Sequence, residues 1–295
     1  MTYKKERGMG MELKIPENFF VGAAMSGPQT EGAYKTGGRL ESIWDTWSDL
    51  SISDFYNKVG SYVGNNFYEK YEDDIKLLKS LHMDSFRTSM QWSRLLTKDG
   101  KLNQEGAQFY HKVCKCAKEN QIELFMNLYH FDMPTYLFER GGWESRDVVE
   151  AYAAYARAAF REFGSEIRYW FTFNEPIVEP DQRYRNGFWY PFIKDAKRGM
   201  QVQYHLSLAH SLAVWEFRKA KEEGYVREDA KIGLINFCAA LYKRRSYARR
   251  SGSFADGGWD QQPVVAGSGG RRTSARGRSF YIGRKRSGSG KKAGR

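Results

Sequence analysis

Three cysteines in 295 residues, an odd number, make no disulfide framework. Cys114 and Cys116 stand two apart in a segment that reads as a helix, so their side chains diverge, which argues against a metal site there. No stretch near the start resembles a signal peptide, and no apolar run approaches the roughly 20 residues of a membrane span. A reducing cytoplasm is the expected location. Acid is scarce in one region only. Residues 243–295 hold 2 of the 35 Asp and Glu but 15 of the 47 Lys and Arg, leaving 32 basic against 33 acidic residues in 1–242. The net charge of +12, which at first sight suggests a nucleic-acid binder, therefore resides in the last 53 residues.

What is present suits a packed domain. The hydrophobic fraction is 41%, and aromatics reach 16%. Such rings serve packing first, and they also suit the apolar face of a sugar ring. Short apolar, β-prone runs alternate with longer helical patterns. Strands are expected over 19–24, 84–89, 122–128, 169–173 and 231–237. Between them, Tyr71, Ile75, Leu78 and Leu81 repeat at helical spacing, and 104–120 reads as a helix. Ser145 could cap the next helix, whose buried face is marked by Val148, Tyr152, Tyr155, Ala159 and Phe163. A long helix over 200–223 carries Tyr204, Leu208, Leu212 and Trp215 on one face.

This order implies α/β architecture with parallel strands covered by helices. An open doubly wound sheet and a (β/α)8 barrel both fit. The long loops after the strands, which carry the unusual residues, suit a barrel. An eight-unit barrel needs about 250 residues, and five strands here already extend to residue 237. The expectation is the first five strands and four helices of a barrel over 1–242. After Tyr242 hydrophobic periodicity stops, and strings such as GSGGRRTSARGR and RKRSGSGKKAGR cannot offset their ordering entropy. Residues 243–295 read as a disordered tail. A nucleic-acid-binding role is one reading of it. Non-native sequence from a shifted reading frame is the favoured one, since a binding tail would rarely follow directly on a core strand.

Four clusters fall at the C-terminal ends of the first four strands, in order. Ser26-Gly27-Pro28-Gln29-Thr30-Glu31-Gly32 offers the Gln29 amide, a donor and acceptor suited to adjacent hydroxyls. Phe86 to Arg94 offers Arg87, whose charge can orient a carboxylate. Asn127 to Pro134 offers His130, a donor from one ring nitrogen. Trp170-Phe171-Thr172-Phe173-Asn174-Glu175-Pro176 ends in a carboxyl group, with Asn174 an uncharged partner beside it. Partial burial disfavours a charged carboxylate, which is what a general acid needs. Taken singly, each cluster reads more simply as an ordinary loop, a structural histidine, an ion pair or a surface glutamate. Random loops would not be expected to place all four at successive strand ends.

FFVGAAMSGPQTEGAY, GRLESIWDTW, SFRTSMQWSRLL, LYHFDMP, GGW and WFTFNEP resemble, in order, the signatures of glycoside hydrolase family 1, across about residues 13–242. The resemblance implies a (β/α)8 barrel and a retaining β-glycosidase without metal or cofactor. It implies Glu175 as the acid/base catalyst, Gln29, His130 and Asn174 as sugar ligands, and Arg87 as the partner of the nucleophile. The GAAMSGPQTEG form and the FNEPIV continuation look most like the bacterial 6-phospho-β-glucosidases, which implies a phosphorylated β-glucoside as partner and neither membrane nor nucleic acid. The family's nucleophile, a glutamate in a T-E-N-G-like motif, has no counterpart here. The only acids after residue 242 are Asp256 and Asp260, and nothing matches the family's phosphate-binding residues. The chain is therefore expected to be truncated, inactive and aggregation-prone, with an open edge at the fifth strand. A non-catalytic sugar-binding role is the alternative. No oligomeric state is legible.

Overall fold

The computed structural model describes residues 15–238. The basic tail, with Asp256 and Asp260, lies outside them. Five strands form one parallel sheet: β1 (Gly22–Ala24), β2 (Ser85–Ser89), β3 (Glu123–Asn127), β4 (Tyr169–Asn174) and β5 (Lys231–Ile235). Their spatial order is the sequence order, β1-β2-β3-β4-β5. A doubly wound sheet reverses its strand order at a switch point. The unbroken order here is the winding of a barrel wall, and it decides between the two architectures that the sequence allowed.

The helices, in chain order, are α1 (Gly27–Thr30), α2 (Ile43–Leu50), α3 (Phe67–Ser80), α4 (Trp92–Leu95), α5 (Gln104–Glu119), α6 (Thr135–Glu139), α7 (Arg146–Phe163) and α8 (Ala196–Glu222). The long ones, α3, α5, α7 and α8, are the four crossover helices expected. On α7 the residues expected inside, Val148, Tyr152, Tyr155, Ala159 and Phe163, are all fully buried. They meet alternate strand residues such as Phe86, Met126 and Trp170 in one core. The other residues of the strands face away from the helices, where Phe125 stacks on Tyr169 with ring centroids 4.5 Å apart.

Three expectations are corrected. Strand β1 begins at Gly22 and not at Phe19, because the Val21 N–H donates to the Asp84 carboxylate at 2.7 Å and the Phe19 N–H to the Pro16 carbonyl at 3.1 Å. Close strand approach fixes glycine at 22, where a Cβ would lie 2.0 Å from the Ser85 carbonyl oxygen. Ser145 occupies the N-cap of α7, but its side chain accepts no capping bond. Helix α8 turns Tyr204 and Trp215 outward, at 60% and 56% exposed. It buries instead a slimmer stripe of Val202, Leu206, Ala209, Ala213 and Phe217. Alanines let the helix approach closely, and of the four residues named from the sequence Leu208 and Leu212 pack against the core from its margin while Tyr204 and Trp215 do not.

Helices α5 and α7 are pinned by His111, whose Nδ1 lies 2.6 Å from Glu166 and Nε2 2.9 Å from Glu162. Burial pulls the imidazolium pKa down, but the two carboxylates outweigh it and hold the pKa above its ordinary value. A cation favoured in the folded state stabilises fully below the unfolded pKa of about 6.5, and that contribution is lost as pH rises through the folded value. Thermal unfolding of the native chain is expected to lose more Tm between about pH 6 and pH 9 than the His111→Ala variant does. Parallel curves would contradict this account of the pair.

Candidate active site

The strand ends are locked to one another before any chemistry is considered. After β1, the buried Glu31 accepts hydrogen bonds from Arg94 Nε and Gln91 Nε2, each at 2.7 Å, and from the Tyr110 hydroxyl at 2.8 Å. Arg94 also donates to the Thr36 and Gly32 carbonyls and lies 4.4 Å from the Tyr68 ring centre. The loop carrying Gln29 is thus fixed to the segment after β2. The Gln29 carbonyl accepts from the Ser26 hydroxyl at 2.7 Å. Its amide N–H groups are therefore what it chiefly offers, where the sequence suggested both donor and acceptor.

After β3, Asp132 is fully buried and accepts from the backbone N–H groups of His130 at 2.9 Å and Trp92 at 3.2 Å. Burial pushes its carboxyl up to about 7. Burial, reinforced by the Arg87 cation, pushes His130 down to about 3, so its imidazole is neutral at pH 7. Arg87 Nη1 lies 3.5 Å from His130 Nδ1. Because a guanidinium only donates, Nδ1 must be the acceptor, which assigns the ring hydrogen to Nε2.

The same Arg87 Nη1 lies 3.3 Å from the Met25 carbonyl oxygen and 3.5 Å from Asn174 Oδ1. One nitrogen on β2 therefore reaches groups at the ends of β1, β3 and β4. Burial lowers the Arg87 pKa against the opposing pull of Glu175. Next to Asn174, Glu175 has φ +47°, a left-handed conformation that costs a residue with a Cβ about 1–3 kcal/mol. It is held there by its N–H bond to the Ile235 carbonyl at 2.7 Å. Phe131, beside His130, has φ +66°. Strain of this kind collects where side chains must be aimed.

A cavity of about 600 Å³ opens at these strand ends. Gln29, His130 and Glu175 line it, and Glu175 is its only acidic lining residue among the described residues. Asn174 is not in the lining. It is 4% exposed and joins the site through Arg87. A second cavity, of about 610 Å³, lies by the N-terminal ends of the strands around Asp84, Glu123 and Arg227 and contains none of these residues. Barrel enzymes work at the other end. The sequence reading missed an aromatic wall of the first cavity, Trp44, Phe55, Phe131 and Trp189. The only signal was the tryptophan content of GRLESIWDTW and of the segment after Glu175. Among the described residues no group of three or more His, Cys, Asp or Glu is placed to hold a metal ion, and no helix is long and apolar enough to cross a membrane.

A barrel wall that gathers a carboxyl group, an imidazole, amides and a guanidinium at its strand ends can serve many chemistries, and likeness to known proteins narrows the class. Residues 11–253 match the profile of glycosyl hydrolase family 1, and the chain belongs to that family. It is similar to 6-phospho-beta-glucosidase GmuD of Bacillus subtilis, at 39% identity over 83% of this chain and 52% of that protein. It is also similar to Beta-glucosidase A of Acetivibrio thermocellus, at 35% identity over 76% of this chain and 48% of that one. Its fold matches the solved family 1 β-glucosidase of Thermotoga maritima with a TM-score of 0.73 and 30% identity, covering 80% of this chain and 51% of that one. The chain spans about half the length of the curated relatives it matches.

Proposed function

We propose that this chain carries the acid/base half of a retaining β-glycosidase site for 6-phospho-β-glucosides. The observation that carries the reading is the convergence on Arg87 Nη1 of groups from the ends of β1, β3 and β4, beside Glu175. In a double displacement, a second carboxylate attacks the anomeric carbon while Glu175 gives its proton to the departing glycosidic oxygen. Water then opens the glycosyl-enzyme, and Glu175 takes the water's proton. Gln29, His130 and Asn174 are assigned to the hydroxyls of the sugar, with His130 donating from Nε2. Arg87 is assigned to orienting the second carboxylate. Similarity to the Bacillus subtilis 6-phospho-beta-glucosidase supports the phosphorylated substrate, and such a substrate fits a cytoplasmic reaction.

Among the described residues the cavity holds no candidate for the second carboxylate. The expected behaviour is sugar binding without enzyme-like turnover. The test is p-nitrophenyl β-glucoside 6-phosphate presented to the purified chain, with release of nitrophenolate and heat of binding measured on the same sample. Binding is expected, with release no faster than the roughly 10²–10⁴-fold over buffer that a lone general acid supplies. Release beyond that range overturns the assignment of an incomplete site, and absence of binding overturns the site itself.

A further inference from the structure

The outer face of α8 takes no part in the sugar site. A surface helix ordinarily lines its outer face with charge, but from Gly199 to Trp215 α8 holds no Asp, Glu, Lys or Arg. Met200, Tyr204 and Trp215 stand exposed there, with Leu208 and Leu212 half-buried beside them. Tyr204 and Trp215 lie eleven residues apart, about three helical turns, so they share one line along the helix. The serines between them bond to the helix itself. The Ser207 hydroxyl donates to the Gln203 carbonyl and the Ser211 hydroxyl to the Ser207 carbonyl, each at 3.0 Å. An exposed apolar patch of this kind marks an interaction surface.

Charge returns at the two ends of this line, with opposite sign. Lys197 lies seven residues before Tyr204, and Glu222 seven residues after Trp215, and both are exposed. Seven residues fall only about 20° short of two full turns, so all four side chains share the line. Their charged neighbours are engaged within the chain, Arg198 with Glu144 and Glu223 with Arg161, each at 2.7 Å. Lys219 leans over Trp215, its Nζ 5.4 Å from the ring centre.

The spacing is palindromic. Reversed about the midpoint between Ala209 and His210, the line maps Lys197 onto Glu222, Gln201 onto Arg218, Tyr204 onto Trp215, and Leu208 onto Ser211. A two-fold interface demands this property, because where residue i meets j, j also meets i. Two antiparallel copies of α8 would set Lys197 against Glu222 of the partner subunit at both ends. Inside those pairs, the Gln201 amide would face Arg218 of the partner subunit, and Tyr204 would face Trp215 of the partner subunit. At the centre Leu208 would sit over the small Ser211 of the partner subunit. Parallel pairing would set lysine on lysine and glutamate on glutamate, which is repulsive. The charge pattern thus selects a second copy of this chain as the occupant.

We propose that the outer face of α8 is a self-association surface, on which two copies of this chain pair antiparallel along Tyr204, Leu208, Ser211 and Trp215 with a Lys197–Glu222 pair at each end. A single helix pair is a small interface, at the low end of the specific range, so dissociation in the micromolar range is expected. The experiment is sedimentation equilibrium of the native chain across micromolar concentrations. A monomer–dimer equilibrium is expected. Trp215→Ala, which removes a central aromatic from both copies, is expected to weaken it at least about tenfold. Lys197→Glu sets like charges at both ends and is expected to weaken it about tenfold, and adding Glu222→Lys is expected to restore the native affinity. Both charge changes suit the helix dipole, with acid in the first turn and base in the last, so the fold tolerates them. A monomer at every concentration overturns the proposal. Assembly that ignores Trp215→Ala, as edge-to-edge strand pairing at β5 would, also overturns it. So does a double charge variant that stays as weak as Lys197→Glu.

Discussion

Nitrophenolate release from p-nitrophenyl β-glucoside 6-phosphate is expected to stay within the range that a lone general acid can supply. Such a group accelerates a reaction by about 10²–10⁴-fold, whereas whole enzymes reach 10⁶-fold and far beyond. The difference lies in the nucleophile, which in a retaining glycosidase stands about 5–5.5 Å from the acid. Glu175 is the only acidic residue lining the cavity among the described residues. Its neighbours are a neutral imidazole, an amide and a guanidinium. None of these replaces a carboxylate at the anomeric carbon. Acceleration beyond about ten-thousand-fold over buffer would require a second carboxylate at the site, and would contradict the assignment. Glu175→Gln is then expected to remove whatever small acceleration remains.

The second large effect is on stability. Arg94 and Glu31 pair at 2.7 Å with side chains 0% and 2% exposed. Arg94→Met leaves Glu31 charged, buried and short of its partner. Breaking such a pair from one side costs about 3–5 kcal/mol, and a fall of that size in the urea unfolding free energy is expected. The double variant Arg94→Met with Glu31→Gln is expected to recover part of it, because no charge is then left buried and the amide oxygen can still accept from Gln91 or Tyr110. The exposed pair Lys115–Glu119, 3.8 Å apart, is the control. Its removal is expected to change stability by less than about 1 kcal/mol. A cost for Arg94→Met no greater than that of the surface control would contradict the view that this pair locks the Gln29 loop to the barrel.

What could be read from the sequence was what periodicity and order encode. Strands β2 to β5 were expected within a few residues of where they lie, because apolar runs between longer helical repeats leave little choice. Glu175, His130 and Gln29 were expected together because each follows a strand, and parallel strands bring their ends to one rim. What escaped depends on contacts between distant segments. The early strand start was lost because the Asp84 side chain takes the Val21 N–H. The packed face of α8 was not apparent because small residues bury more readily than Tyr204 and Trp215. Asn174 was expected to ring the cavity, but it reaches the site through Arg87. The packing of Arg183 against Trp44 was invisible because the two lie far apart in the chain, and the helical spacing of Glu179 and Arg183 alone does not point to an indole.

The most direct measurement is calorimetric titration of the native chain with deoxynojirimycin, a glucose-shaped ring whose nitrogen carries positive charge where the transition state does. If four strand ends deliver Glu175 and its hydroxyl partners to one cavity, binding is saturable at one site per chain. It then weakens at least tenfold in both Glu175→Gln and His130→Ala, with unfolding midpoints close to native. Heats without saturation, or affinities indifferent to both substitutions, would mean that these residues do not share a sugar site.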